Sequence, residues 1–111
     1  MRADLALVGY GNVARRFVTL IDERAPRLLA DFGLDCRIVG TSTRSAGAIY
    51  RGERCVDSFE LMQRLSTSDA DLRVVIETTT LDVKNGEPAV AHVRAGLAAG
   101  CHVVTANKGP V

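Results

Sequence analysis

The sequence predicts an α/β fold: a parallel sheet of four strands in the order 2-1-3-4, with helices on both faces. Three observations carry that expectation. Near-continuous apolar runs at 5–8 (LALV), 36–40 (CRIVG), 72–76 (LRVVI) and 101–105 (CHVVT) have the character of strands buried on both faces. Segments of helical periodicity separate them, and right-handed crossovers then fix the strand order. At 111 residues the chain has room for a single domain of this kind.

Taken in order, the first strand ends at Val8, and the spacing changes after Gly11. Val13, Phe17, Leu20 and Ile21 recur at helical intervals, while Arg15, Arg16, Thr19, Asp22 and Glu23 take the other face. Pro26 opens either a kinked extension of that helix or a new short one, with Gly33 as its stop and Leu28, Leu29 and Phe32 sealing it to the core. After the second strand, 41–52 is polar and dotted with glycine, as a ligand-side loop is, with room for a short strand at 48–50. Asp57 and Glu60 have the spacing of a capping box, which starts a second helix over about 58–65 with Leu61, Met62 and Leu65 inward. The third strand leads into a loop at 78–85. Pro88 suits the first turn of a third helix, whose Val90, Val93 and Leu97 face inward and which Gly100 ends.

Composition narrows the function classes. The chain is 47% hydrophobic and 24% charged with no Trp, so aliphatic side chains must build the core. A net charge of +1 argues against nucleic acid or a membrane surface held by bulk charge, and leaves small ligands and proteins as partners. No apolar run approaches the roughly 18 residues of a membrane span, and the expectation is a cytoplasmic protein. Cys36, Cys55 and Cys101 are odd in number and far apart, and His92 and His102 lack ligands at metal-binding spacing. Neither a disulfide framework nor a metal site is expected.

Chemistry concentrates at the carboxyl ends of the strands. Gly9, Gly11 and Ala14 form G-x-G-x-x-A (GYGNVA) between the first strand and the first helix, the setting in which this motif binds a dinucleotide. Gly9 permits the tight turn, Gly11 lets the backbone approach a pyrophosphate, and Ala14 lets the helix pack close to the sheet. The phosphates then meet the N–H groups at the positive end of the helix. The fold class is thereby Rossmann-like. Asp35 has the spacing of a ribose-reading carboxylate but precedes the second strand, at the wrong edge. That strand instead ends in Thr41, Ser42, Thr43 and Arg44, hydroxyls and a guanidinium suited to the 2′-phosphate of NADP, with Arg51 or Arg54 as further cations; NAD remains a possible cofactor. The third strand ends in Glu77, Thr78, Thr79 and Thr80, which face the nicotinamide side. Lys108, one of two lysines, follows the fourth strand, where an ammonium group that can lose its proton serves as an acid–base relay.

GYGNVARRF, VVIETTTLDVKNGEPA and GCHVVTANKGPV resemble the nucleotide-binding region of homoserine dehydrogenase, over the whole stretch from 5 to 111. The resemblance implies NAD(P)-linked interconversion of L-homoserine and L-aspartate 4-semialdehyde, on the route to threonine and methionine. By position it implies that Gly9, Gly11, Asn12, Val13 and Ala14 form the phosphate turn, Thr79 and Thr80 the nicotinamide-side loop, and Lys108 the motif lysine beside the substrate. It implies that the chain is the cofactor domain of a larger enzyme, inactive alone, whose dimerisation and homoserine-binding regions are absent, and which forms a homo-oligomer with a small amino-acid substrate. The competing readings are a free-standing dinucleotide-binding or redox-sensing module without catalysis, and the cofactor domain of another amino-acid dehydrogenase.

Overall fold

The structure, a computed structural model, describes residues 1–44, 46–79 and 88–106. Its elements run β1 (Arg2–Val8), α1 (Asn12–Phe32), β2 (Asp35–Thr43), β3 (Gly47–Tyr50), β4 (Glu53–Cys55), α2 (Ser58–Ser66), β5 (Leu72–Glu77), α3 (Ala89–Ala98) and β6 (His102–Thr105). The sheet has the order β4-β3-β2-β1-β5-β6. Its parallel part, β2-β1-β5-β6, is the expected 2-1-3-4 arrangement, and two antiparallel strands extend it beyond β2.

Within the stretch 41–52 read as a loop, β3 stands where a short strand was expected, at 48–50, and the continuation of β2 through Thr43 corrects the rest. β2 continues through Thr43, and β3 folds back on it with Gly40 opposite Tyr50 and Thr43 opposite Gly47. The Thr43 hydroxyl accepts the Ala46 amide at 2.8 Å and closes the turn. Only Ala48 of this hairpin is buried, while Ile49, Glu53 and Arg54 stay exposed. Such a strand needs little apolar sequence, which is why its polar residues read as a loop.

Arg51, expected as a cation near the ligand, has another duty. It stands at φ 49, its amide donates to the Val39 carbonyl at 2.7 Å, and its guanidinium meets the wholly buried Asp4 at 2.9 Å. Val39 is the residue skipped where the β1–β2 register shifts, so this contact satisfies a carbonyl that the ladder leaves out. Asp4 also accepts from the Ser68 hydroxyl, and Arg2 Nε lies 3.5 Å away. The group ties the hairpin to β1.

The main core lies between the sheet and α2 with α3: Ala6, Val8 and Val75 meet Leu61, Met62 and Leu65. In α2 the Asp57 side chain accepts the Glu60 amide at 2.9 Å, as the capping spacing predicts, and Glu60 reaches back to the Val56 amide rather than to Asp57 itself. On the opposite face α1 is one uninterrupted helix containing Pro26, ended by Gly33 in the left-handed conformation. Its expected inward stripe is thinner than its sequence: Ala14 alone is buried, Val13, Leu29 and Phe32 are exposed, and Phe17, Leu20, Ile21 and Leu28 are half-buried. At 1.5 Å per residue α1 is about 31 Å long against about 23 Å for β1, so its far end overhangs the sheet.

In α3 the inward residues are Ala89, His92 and Gly96 rather than Val90, Val93 and Leu97, and Leu97 is 59% exposed. The reason is close approach. A Cβ on Gly96 would lie 2.8 Å from Val103 Cγ2, so small residues face the sheet and the valines flank it. Among the described residues no helix is long and apolar enough to cross a membrane.

Candidate functional site

Because β1, β2, β5 and β6 are parallel, their last residues share one edge. Ser42 pairs with Val8, Val8 with Glu77, and Glu77 with Thr105. The backbone ladder runs one step further, through Gly9 N–H to Ser42 O at 2.8 Å, Thr78 N–H to Val8 O at 2.8 Å and Ala106 N–H to Glu77 O at 3.0 Å. The loops leaving this row enclose a cleft of about 540 Å³, within the usual range for small-molecule sites.

Gly9 makes the turn at φ 91 and brings its backbone against the Thr78–Thr79 peptide. Gly11 caps α1 in extended backbone, its Cα faces open space, and no side chain occupies the cap. The Arg15 amide bonds to Gly11 O at 3.0 Å, and the three amides before it, of Asn12, Val13 and Ala14, begin the helix with no carboxylate in the first turn. An uncapped, positively polarised helix end beside an open glycine fits a diphosphate. Ala14 is fully buried, as the close packing of helix on sheet requires.

Ser42 and Arg44 line the same cleft as Gly9 and Gly11, with Thr43 between them. Arg44 is exposed, a side chain available to an anion. Asp35 opens β2 opposite Arg2, at the far edge, and pairs with Arg37 at 3.0 Å. Thr79 lines the other side of the cleft together with Thr78, Pro88 and His92. The threonine hydroxyls are turned to the scaffold. Thr78 Oγ1 donates to Gly9 O at 3.0 Å, and Thr79 Oγ1 to Glu77 Oε2 at 2.6 Å. Thr80 and Lys108 lie outside the described residues, as does most of the expected 78–85 loop.

Tyr10, Pro88 and His92 join the cleft without having been singled out for it. Tyr10 stacks under the Arg15 guanidinium, 5.8 Å from its ring centre. A signal for His92 was present, since it falls on the same helical stripe as Ala89 and Gly96. Burial pushes the Cys36, Cys55 and Cys101 thiols up, so each is a weaker nucleophile than an exposed cysteine. Among the described residues no three His, Cys, Asp or Glu side chains group as metal ligands do.

Ligands of open α/β sheets bind beyond the carboxyl ends of the strands, where neighbouring crossovers leave in opposite directions. Here that point lies between β1 and β2 on one side and β5 on the other. The fold is accordingly Rossmann-like, and it superposes on a homoserine dehydrogenase of S. aureus with a TM-score of 0.74 at 23% identity, covering 97% of this chain and 26% of that one. No protein-family model matches the chain. An NAD(+)-dependent homoserine dehydrogenase of Pseudomonas canavaninivorans is 31% identical over an alignment of 128 positions that covers 96% of this chain and 36% of that protein. A homoserine dehydrogenase of Sulfurisphaera tokodaii is 26% identical over an alignment of 113 positions that covers 96% of this chain and 34% of that protein. The chain is thus similar to homoserine dehydrogenases along nearly all of its own length, and it spans about a third of theirs.

Proposed function

We propose that this chain is the dinucleotide-binding domain of an oxidoreductase that interconverts L-homoserine and L-aspartate 4-semialdehyde, with NADP(H) preferred. The observation that carries the reading is the single cleft in which the open Gly11, the uncapped start of α1 and the Ser42–Arg44 end of β2 meet. The whole-length similarity to homoserine dehydrogenases supplies the reaction. Gly9, Gly11, Asn12, Val13 and Ala14 hold the diphosphate through backbone. Arg44 and Ser42 take the 2′-phosphate, a contact that a forked guanidinium makes well. One relative is named as NAD(+)-dependent; what supports NADP for this chain is that 41–44 holds a guanidinium and no carboxylate of the kind that reads the ribose 2′-hydroxyl of NAD.

A dinucleotide held there would supply hydride transfer at its nicotinamide. Lys108 takes the hydroxyl proton or returns it, and Thr79 with Thr80 borders the nicotinamide. The amino-acid substrate is held by parts of the enzyme outside this third of the relatives' length, where contacts between subunits also lie. Titration of the chain with NADP and NAD tests the cofactor half of the proposal, and homoserine-dependent reduction of NADP by the protein that carries the chain tests the reaction. Equal affinity for the two cofactors overturns the NADP preference, and a protein inert to homoserine overturns the substrate.

A further inference from the structure

In its first half α1 has Ala14 buried and Phe17, Val18, Leu20 and Ile21 half-buried, whereas every residue from 22 to 27 is exposed, Ala25 and Pro26 included. A helix in a protein owes most of its stability to packing, and a proline in its interior removes a backbone hydrogen bond. The overhanging half of α1 is a helix without a surface to lie on.

One flank of the anchored half offers such a surface. Asn12, Val13, Arg16, Phe17 and Leu20 line a shallow, mainly apolar groove of about 450 Å³, and Val13 within it is 59% exposed. Further along, the same flank is charged. At 3.6 residues per turn Arg16, Leu20, Glu23, Arg24, Arg27 and Asp31 share about a third of the circumference. The Arg16–Glu23 contact at 3.9 Å and the Arg27–Asp31 contact at 3.5 Å run along it. Arg24 is exposed there and joins no ion pair among the described residues.

This order of charges is its own complement when the helix is turned end for end. In an antiparallel pair about a two-fold axis, Glu23 of each copy falls opposite the partner's Arg24. The same register sets Arg16 opposite the partner's Asp31, and Leu20 against the aliphatic stem of the partner's Arg27. It also lays the grooved half of each α1 along the overhanging half of the other. The ion pairs within each copy are exposed and contribute little, so they do not hold the side chains back.

We propose that this flank of α1 is a self-association surface whose occupant is α1 of a second copy of the chain, antiparallel about a two-fold axis between Glu23 and Arg24. The inference goes beyond the dinucleotide reading and does not depend on it. One helix pair covers less than the roughly 1,200 Å² of a standard interface, so the dimer is weak, with a dissociation constant on the order of 100 µM, and salt loosens it.

The test is sedimentation velocity of the chain in low salt over about 10 µM to 1 mM, where the mass should climb from 11.9 kDa toward twice that value. Glu23→Arg and Arg24→Glu each set like charges face to face and should weaken association about tenfold or more. An equimolar mixture of the two variants should associate as the parent does, because each supplies the charge the other lacks. Glu and Arg have similar helix propensities, so both variants should unfold in urea as the parent does. Should either fail to fold, the chain carrying both substitutions decides alone, since it keeps every cross-axis pair and should associate like the parent. Single variants that associate as well as the parent, or a mixture or doubly substituted chain that stays monomeric, overturn the proposal. A parent chain that is monomeric at the highest concentration overturns it as well, and leaves α1 to be covered by other parts of a longer protein.

Discussion

Gly9 and Gly11 belong to one motif, yet a side chain would fail at each for a different reason. At Gly9 the backbone stands at φ 91, and a Cβ would lie 2.8 Å from the Thr78 carbonyl carbon and the Thr79 nitrogen. Both neighbours are backbone and cannot swing aside. Gly9→Ala should therefore destabilise the fold by about 2 kcal/mol or more, read from urea unfolding, because strain in the left-handed region adds to the clash. At Gly11 a Cβ meets nothing, so Gly11→Val should unfold as the parent does and lose dinucleotide in titration. A Gly11→Val chain that keeps its affinity removes the motif from the binding site. Arg44 is a separate matter of charge. A charge-assisted contact contributes about 1.5 to 3 kcal/mol, so Arg44→Ala should reduce NADP affinity roughly ten- to a hundredfold and leave NAD unaffected. Equal losses for the two cofactors would assign Arg44 to the diphosphate instead. These residues were legible in the sequence because strand ends are set by apolar runs, and whatever follows a parallel strand faces the ligand edge. The 3.3 Å contact of His92 with Glu77 was not legible, because it depends on how α3 is rotated about its axis.

That rotation is an element-scale property, and it shows where periodicity misleads. Val90, Val93 and Leu97 form the more apolar stripe of α3, but Gly96 must face Val103 for the helix to sit so close to the sheet. Size decided the phase, and hydrophobicity did not. In α1 the stripe was identified correctly and its burial was overestimated, since a helix longer than its strand leaves Leu29 and Phe32 with no sheet beneath them. The cap of α2 followed from spacing alone, because the Asp57 side chain and the Glu60 amide are brought together by the local turn and need no tertiary partner. Asp57→Ala should accordingly cost about 1 kcal/mol, seen as a lower urea midpoint with an unchanged slope. α2 carries Leu61, Met62 and Leu65 into the main core, so the loss should appear in global unfolding and not as local fraying. An unchanged midpoint would mean that the packing of α2 makes the cap redundant.

At the scale of the whole molecule, the crossover rule made the parallel order legible, whereas the antiparallel hairpin at the β2 edge follows no such rule and is held by Arg51, Asp4 and the Val39 carbonyl. The same scale governs catalysis. Among the described residues that line the cleft there is one guanidinium, Arg44, and no carboxylate to grip an amino acid's ammonium group. Hydride transfer needs two reactants held together, so this chain by itself should show no homoserine-dependent reduction of NADP above background. Under the proposed reaction Lys108 is the acid–base group: it follows β6, the strand beside Glu77 at the ligand edge, and is one of only two lysines. Loss of a positioned acid–base group costs about 10² to 10⁴ in rate, so Lys108→Ala should lower kcat by that factor with cofactor affinity nearly unchanged. Lys108→Arg should fail to restore it, because a guanidinium keeps the charge and cannot release the proton. If Lys108→Arg recovers most of the activity, the lysine acts as a fixed charge that orients substrate, and the proton leaves by another group.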